Sequence, residues 1–134
     1  MNKPLPAPTG TLTRTALVVD DISVVRFYHT QILERMGFSC LVATDGQEAL
    51  QTLRGTPVDL VVLDIVMPNM TGLEFIEQIR ANPGLANMPV LLISSEKHGD
   101  KVRRPRTSTT GPIGFAQKPL MPSTIVAEVN RLLN

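Results

Sequence analysis

The chain has 134 residues, of which 43% are hydrophobic and 19% are charged, and its formal net charge is +1. This balance is that of an ordinary globular domain, and it excludes a charge excess that would give a general affinity for nucleic acid or an anionic membrane surface. The single cysteine, Cys40, excludes an internal disulfide, and no apolar run approaches the roughly 20 residues of a membrane span. We therefore expect a cytoplasmic domain that binds neither nucleic acid nor membrane.

Residues 1–14 contain three prolines and a glycine and show no periodicity, which predicts a flexible leader before one domain at residues 15–134. The apolar run at 16–19 predicts a first strand that ends at Asp20 and Asp21. Residues 23–36 have helical period, with Ser23 as the expected cap and Gly37 as the expected end. The core-facing side of this helix is predicted to consist of Val24, Val25, Tyr28, Ile32 and Met36.

The remaining segments alternate between strand-like and helix-like patterns. The sequence predicts strands at 40–43, 60–63, 90–93 and 114–117, and helices at 46–53, 73–81 and 123–133. Asp45 is the expected cap of the second helix. The runs LVVL and VLLI lack polar alternation, which is typical of strands buried on both faces. This order predicts an α/β domain with a parallel sheet and helices on both sides.

One segment departs from the alternation. A crossover helix is due after the fourth strand, but residues 97–115 read KHGDKVRRPRTSTTGPIGF, where Pro105 and many Ser, Thr and Gly residues disfavour helix. We expect at most a short helical turn near residues 99–104, followed by irregular chain. We interpret the basic residues here as a solvated face, with a partner-binding patch as the alternative: Lys97, Lys101, Arg103, Arg104 and Arg106.

Polar residues stand where the predicted strands end, which is where parallel sheets place their binding sites. Asp20 and Asp21 end the first strand, Asp64 the third, Ser94 the fourth and Lys118 the fifth. Three carboxylates at one edge repel one another unless a cation binds, and an all-oxygen site suits Mg²⁺. A carboxylate surrounded by a metal, an ammonium and a hydroxyl predicts that Asp64 is a nucleophile for a phosphoryl group.

The ordered set LVVDD, LVVLDIVMPNMTG, LLISSE and FAQKP resembles the receiver domain of bacterial two-component response regulators, including stand-alone chemotaxis response regulators. The resemblance covers residues 15–133 and implies a flavodoxin-like, doubly wound five-stranded parallel sheet with strand order 2-1-3-4-5. It implies Asp64 as the phosphoacceptor and a Mg²⁺ site made by Asp20, Asp21, Asp64 and the backbone carbonyl of Val66. It further implies Ser94 as the switch hydroxyl, Lys118 as the phosphate-binding lysine and Phe115 as the aromatic switch.

The resemblance also implies partners. A histidine kinase or a histidine phosphotransfer protein would donate the phosphoryl group, and a downstream protein of unknown identity would bind the switched surface. No enzyme activity is expected beyond self-catalysed phosphotransfer and autodephosphorylation. Phe27, which is predicted to be partly exposed on the first helix, is either a scattered surface residue or a contact for the phosphodonor.

Three features depart from the family pattern. Val66 is apolar where many relatives have a polar residue that helps to position the attacking water, so we predict a longer-lived phosphoryl group, partly offset by Glu96. Phe115 lacks the hydroxyl of a tyrosine, so packing alone would set its inward and outward positions. The third feature is the atypical connection between the fourth and fifth strands. In the family this connection lies on the surface that changes when the domain is phosphorylated.

The sequence also bears on classes of function other than a stand-alone receiver. A Mg²⁺-dependent phosphohydrolase would need an acid at the position of Val66, and a flavodoxin-like FMN carrier would need a phosphate loop where Asp20 and Asp21 stand. A phosphate-independent interaction module, or degenerate receiver, is disfavoured by the complete set of acids, hydroxyl and lysine. A receiver excised from a hybrid kinase fits the sequence equally well. The lone histidines His29 and His98 lack the spacing of metal ligands.

Overall fold

The computed structural model describes residues 13–94, 112–118 and 121–134. The elements are β1 (Thr15–Val19), α1 (Ser23–Arg35), β2 (Ser39–Ala43), α2 (Gly46–Gly55), β3 (Leu60–Asp64), α3 (Gly72–Arg80), β4 (Val90–Ser94), β5 (Ile113–Gln117) and a C-terminal helix (Pro122–Leu133). Each was predicted to within one or two residues. The expected leader, apart from its last two residues, and the expected irregular crossover at 99–111 lie outside the described residues.

The five strands form one parallel sheet in the order β2-β1-β3-β4-β5, which confirms the predicted fold class. The strands lie nearly level at their carboxyl ends: Val19 is opposite Leu63, Asp64 is opposite Ile93, and Ser94 is opposite Gln117. Every residue of β3 and β4 is buried, as the unbroken apolar runs predicted. The residues that follow these strands therefore meet at one edge of the sheet.

Each face of the sheet has its own apolar core. Side chains of α2 and α3, including Leu53, Phe75 and Ile79, pack on one face. Side chains of α1 and the C-terminal helix, including Leu33 and Ile125, pack on the other. A sheet covered by helices on both sides is the arrangement that hydrophobic, non-alternating strands require.

The starts of the helices show which capping predictions hold. Asp45 caps α2 by accepting a hydrogen bond from the Glu48 backbone N–H at 2.8 Å, as predicted. The predicted Ser23 cap is wrong, because Ser23 is the first helical residue and α1 has no side-chain cap. The nearby acceptor is instead Asp20, whose Oδ1 accepts from the Ile22 N–H at 2.9 Å. Gly37 ends α1 with a φ of 99°, the left-handed conformation that glycine adopts without strain.

The predicted core-facing side of α1 is partly wrong. The residues that α1 buries are His29, Ile32 and Leu33, whereas Val24 is 73% exposed and Tyr28 is 39% exposed. Apolar residues surround most of this helix, so their period alone does not select the side that packs on the sheet. The packing leaves an apolar strip on the surface, and Phe27 belongs to it with 65% of its surface exposed.

Candidate functional site

The carboxylates of Asp20, Asp21 and Asp64 meet at the edge formed by β1 and β3. One oxygen of each lies within 4.8 Å of the others. Asp20 and Asp64 are buried where their strands end, whereas Asp21 is exposed at the start of the connection to α1. The parallel register brings these side chains together although 44 positions separate Asp20 from Asp64 in the sequence.

Lys118 extends into the same cluster from β5. Its Nζ lies 3.1 Å from Asp64 Oδ2, within hydrogen-bond range, and 3.8 Å from Asp20 Oδ2. The Lys118 backbone N–H donates to the Ser94 carbonyl at 2.7 Å, so the ladder between β4 and β5 continues for one more residue and places the lysine. A fixed ammonium beside two buried carboxylates balances part of their negative charge.

Asp20 shows that the site suits an additional cation. Its Oδ2 is buried and has no hydrogen-bond partner among the described residues. Burial raises the pKa of Asp20 above its usual value, Asp64 and Asp21 raise it further, and the Ile22 N–H and Lys118 oppose them. A buried carboxylate oxygen without a partner is costly, and a hard divalent cation with oxygen ligands would remove that cost. The three carboxylates therefore fit a divalent metal.

Arg26 supports the backbone beneath this cluster. From the first turn of α1 its Nη1 donates to the Asp20 carbonyl oxygen at 2.7 Å. The contact ties the end of β1 to α1 and helps to fix the backbone from which the Asp20 carboxylate projects. Sequence reasoning missed Arg26, since a spacing of six residues from a strand end corresponds to no known motif.

The loop from Ile65 to Thr71 follows β3 and lies next to Asp64. The Val66 N–H donates to Asp64 Oδ1 at 3.2 Å, and the Gly72 N–H closes the loop by donating to the Ile65 carbonyl at 2.8 Å. A Cβ added at Gly72 would lie 2.9 Å from Ile65 Cα and 3.0 Å from the Asp64 carbonyl oxygen, so only glycine fits without a shift. The Val66 side chain is 48% exposed at the mouth of the site.

Asn69 at the tip of this loop contacts the neighbouring β2–α2 connection. It has a φ of 71°, and its Nδ2 donates to Asp45 Oδ2 at 3.1 Å. Sequence reasoning identified Asp45 as a cap but missed this second contact. The available signal was the Pro68-Asn69 pair, because asparagine tolerates the left-handed conformation that tight turns require.

The two residues with predicted switch roles lie on β4 and β5, on the side of the sheet that continues from β3 away from β1. Ser94 is buried at the end of β4, next to the residue that is paired with Asp64. Phe115 is half-buried on β5 opposite Leu92, and it packs against the core under α2 and α3. Glu96, His98 and the basic cluster lie outside the described residues.

His29 is buried in α1 and contributes no ligand to the carboxylate cluster. Its ring centroid lies 5.8 Å from that of Tyr28. Burial lowers the pKa of His29 to about 4, the charge of Lys118 lowers it as well, and Asp64 opposes them. The sequence identified a lone histidine here but not its burial. In the part of the chain that the structure describes, no helix is both long and apolar enough to span a bilayer.

Comparisons with known proteins agree with this geometry. The family model of the response regulator receiver domain matches residues 16–130. The chain is 30% identical over 117 residues to the chemotaxis protein CheY of Pseudomonas aeruginosa, covering 87% of this chain and 93% of that protein. Among solved structures, it is similar to the chemotaxis response regulator CheY4 of Vibrio cholerae, with 28% identity and a TM-score of 0.80. This match covers 90% of this chain and 99% of the CheY4 chain. It is also similar to the signal receiver domain of a signal transduction histidine kinase from Syntrophus aciditrophicus, with 27% identity and a TM-score of 0.79. This match covers 90% of this chain and 89% of the receiver-domain chain.

Proposed function

The chain belongs to the response regulator receiver domain family, and we propose that it is a phosphoacceptor switch in which Asp64 takes a phosphoryl group from phosphohistidine. The cluster at the sheet edge carries this proposal. Asp64 combines an ammonium at 3.1 Å with two neighbouring carboxylates that suit a divalent cation. A nucleophilic carboxylate flanked by cations is what phosphoryl transfer requires, since the transferred group carries negative charge throughout.

In the proposed transfer, a carboxylate oxygen of Asp64 attacks the phosphorus of the donor's phosphohistidine. The new O–P bond forms as the N–P bond breaks, and the departing imidazole nitrogen takes a proton from solvent. Lys118, whose Nζ lies 3.1 Å from Asp64 Oδ2, would contribute positive charge to the phosphoryl oxygens. A Mg²⁺ bound by Asp20, Asp21, Asp64 and the Val66 carbonyl would supply further charge neutralisation.

Loss of the phosphoryl group is proposed to be slow. Hydrolysis needs a water molecule that attacks phosphorus while the acyl phosphate O–P bond breaks, releasing inorganic phosphate and the Asp64 carboxylate. Val66 stands two residues after Asp64 at the mouth of the site, and its side chain has no polar atom to orient that water. We propose no enzyme activity beyond this self-catalysed transfer and hydrolysis.

The proposed switch uses β4, which is next to β3, and β5, which is next to β4. The Ser94 hydroxyl would donate a hydrogen bond to the phosphoryl group on Asp64, and Phe115 on the adjacent strand would repack in response. Because Phe115 is only half-buried, its movement would change the surface near β5. A downstream protein would recognise that changed surface.

We propose that the phosphodonor docks on exposed apolar residues of the segments that follow β1, β3 and β5 in the chain. They come from three segments that all reach the sheet edge, namely the start of α1, the β3–α3 loop and the segment after β5. Exposed apolar residues that are grouped around a polar site are typical of a protein-binding surface. The phosphodonor would be a histidine kinase or a histidine phosphotransfer protein in the cytoplasm, and its contacts would include Ile22, Val24, Phe27, Val66 and Met121.

Two alternatives use the same fold. A degenerate receiver would act without phosphate, but the contact between Lys118 and Asp64 favours phosphorylation. A receiver segment of a larger kinase would use the same residues as a separate receiver, and the similarity to the Syntrophus receiver domain favours this as the second candidate.

Intact-mass measurement tests the proposal for both kinds of receiver. The protein is incubated with acetyl phosphate and Mg²⁺, and we expect the mass of one phosphoryl group to be gained and then slowly lost. Asp64→Asn should gain nothing, whereas the matched control Asp59→Asn, a surface residue that binds the Thr15 N–H, should behave like the wild type. No gain in the wild type, or a persistent gain in Asp64→Asn, would show that the assignment is wrong.

A further inference from the structure

The loop from Ile65 to Thr71 is held at both its base and its tip. At the base, the Gly72 N–H donates to the Ile65 carbonyl at 2.8 Å, and the absence of a side chain at Gly72 allows the two backbone segments to touch. This contact is local, because it joins the two ends of the same loop. It fixes where the loop begins and ends but leaves the orientation of the residues between them undetermined.

The tip is held by a different part of the chain. The Asn69 amide donates to Asp45 Oδ2 at 3.1 Å, while Asp45 Oδ1 accepts from the Glu48 N–H at 2.8 Å. Asp45 is thus fixed by α2 and offers its second oxygen to the loop. Met70 packs closely beside this contact, since a Cβ added at Gly46 would lie 2.8 Å from its Sδ.

Residues 66–68 lie between these two anchors, and the first of them, Val66, belongs to the phosphorylation site. Its N–H donates to Asp64 Oδ1, and its carbonyl is the fourth ligand of the proposed metal site. We infer that Asp45 and Asn69 are positioning residues, which hold the loop so that Val66 presents its backbone to Asp64 and to the metal. This inference rests on the proposed function for the identity of the metal site, although the ordering of the loop can be measured without metal.

Two substitutions separate the tip contact from the other roles of these residues. Asn69→Gly removes the amide but tolerates the left-handed backbone. Asp45→Ser retains a good N-cap but lacks the second oxygen with which Asp45 binds Asn69. Because Asp45→Ser also removes a negative charge, Glu48→Gln provides a charge-matched control on the same helix.

The Mg²⁺ dissociation constant and metal-free amide exchange are the two readouts, both by NMR. Groups that support metal ligands typically change affinity by about tenfold or more, so for this more distant contact we expect roughly threefold to tenfold weaker Mg²⁺ binding in Asn69→Gly and in Asp45→Ser. The double variant should be no weaker than the single ones, because both remove the same hydrogen bond. Without metal, the Val66 amide should exchange faster in both variants by a similar factor, while the urea midpoint of Asp45→Ser stays near that of the wild type.

The outcomes distinguish this inference from the proposed function. Unchanged Mg²⁺ affinity and unchanged Val66 exchange in Asn69→Gly would overturn the positioning role while leaving phosphorylation of Asp64 intact. Equal weakening in Glu48→Gln and Asp45→Ser, with no effect of Asn69→Gly, would also overturn it, since charge alone would then explain the result. If the wild type binds no Mg²⁺, the proposed metal site fails, and exchange at Val66 still decides whether the tip contact orders the loop.

Discussion

Replacing His29 with leucine should make the stability of this protein less sensitive to acid. His29 is only 4% exposed in α1, and burial lowers its pKa from 6.5 to about 4. In the unfolded chain the imidazole regains its ordinary pKa. Below pH 6.5 the unfolded state therefore binds a proton that the folded state refuses, and acid favours unfolding. Leucine fills a similar volume and has no proton to bind.

The size of the effect follows from the two pKa values. Above pH 6.5 His29 is neutral in both states, so it contributes no pH dependence. Between pH 6.5 and about 4 the free energy of unfolding falls as the pH falls, and the total loss is about 3 kcal/mol. Below pH 4 the folded state also binds the proton, so the loss stops increasing. Asp20, whose pKa is raised, works in the opposite direction, but it is present in both proteins and cancels in their difference.

Urea unfolding followed by far-ultraviolet circular dichroism checks this prediction. The free energies of unfolding of the wild type and His29→Leu are compared at pH 7, 5.5 and 4.5. The difference between the two proteins should shift by about 2 to 3 kcal/mol in favour of the variant across this range. Parallel pH dependences would refute the reasoning, since they would mean that His29 is protonated in the folded state or is already buried in the unfolded one.

Three further predictions concern the scaffold and the phosphoryl lifetime. Arg80→Met should lower the free energy of unfolding by about 3 kcal/mol, because the guanidinium donates to three backbone carbonyls that precede β4 and β5. The exposed control Arg35→Met should change the free energy of unfolding by less than about 0.5 kcal/mol. Equal urea midpoints for the two variants would contradict this prediction. Gly72→Ala should lower the free energy of unfolding by about 2 kcal/mol, because the added Cβ would overlap the backbone at the end of β3. The control Gly55→Ala, whose Cβ would have no atom within 4 Å, should be neutral or stabilising. A neutral Gly72→Ala would mean that the loop shifts to accommodate the methyl group without cost. Val66→Asn should shorten the lifetime of the phosphoryl group severalfold, since the asparagine amide can orient the attacking water. A time course of the intact mass measures this lifetime. An unchanged decay would show that the apolar side chain of Val66 does not limit hydrolysis.

The order of secondary structure elements could be predicted because local chemistry determines it. Apolar runs such as those of β3 and β4 favour strands in any context, and Gly37 and Asp45 mark helix ends through their own backbone and side-chain preferences. Parallel strands all point the same way, so residues that follow them must share one edge. For that reason the meeting of Asp20, Asp64 and Lys118 could also be predicted before any distance was known. The switch roles of Ser94 and Phe115 stay predictions.

Contacts between separate elements could not be predicted in the same way. The sequence of α1 has apolar residues on most sides, and only its packing on the sheet buried His29 and left Val24 and Phe27 exposed. The hydrogen bond between Asn69 and Asp45 likewise depends on two loops that become neighbours only when β2 and β3 both pair with β1.

Thus the sequence by itself determined the α/β fold and the residues at the strand ends, because these depend on periodicity and strand direction. Only the tertiary structure decided which face of a helix is buried and which loop supports Asp64. Those outcomes depend on the positions of elements that are distant in the chain, and such positions are set by the packing of the whole domain.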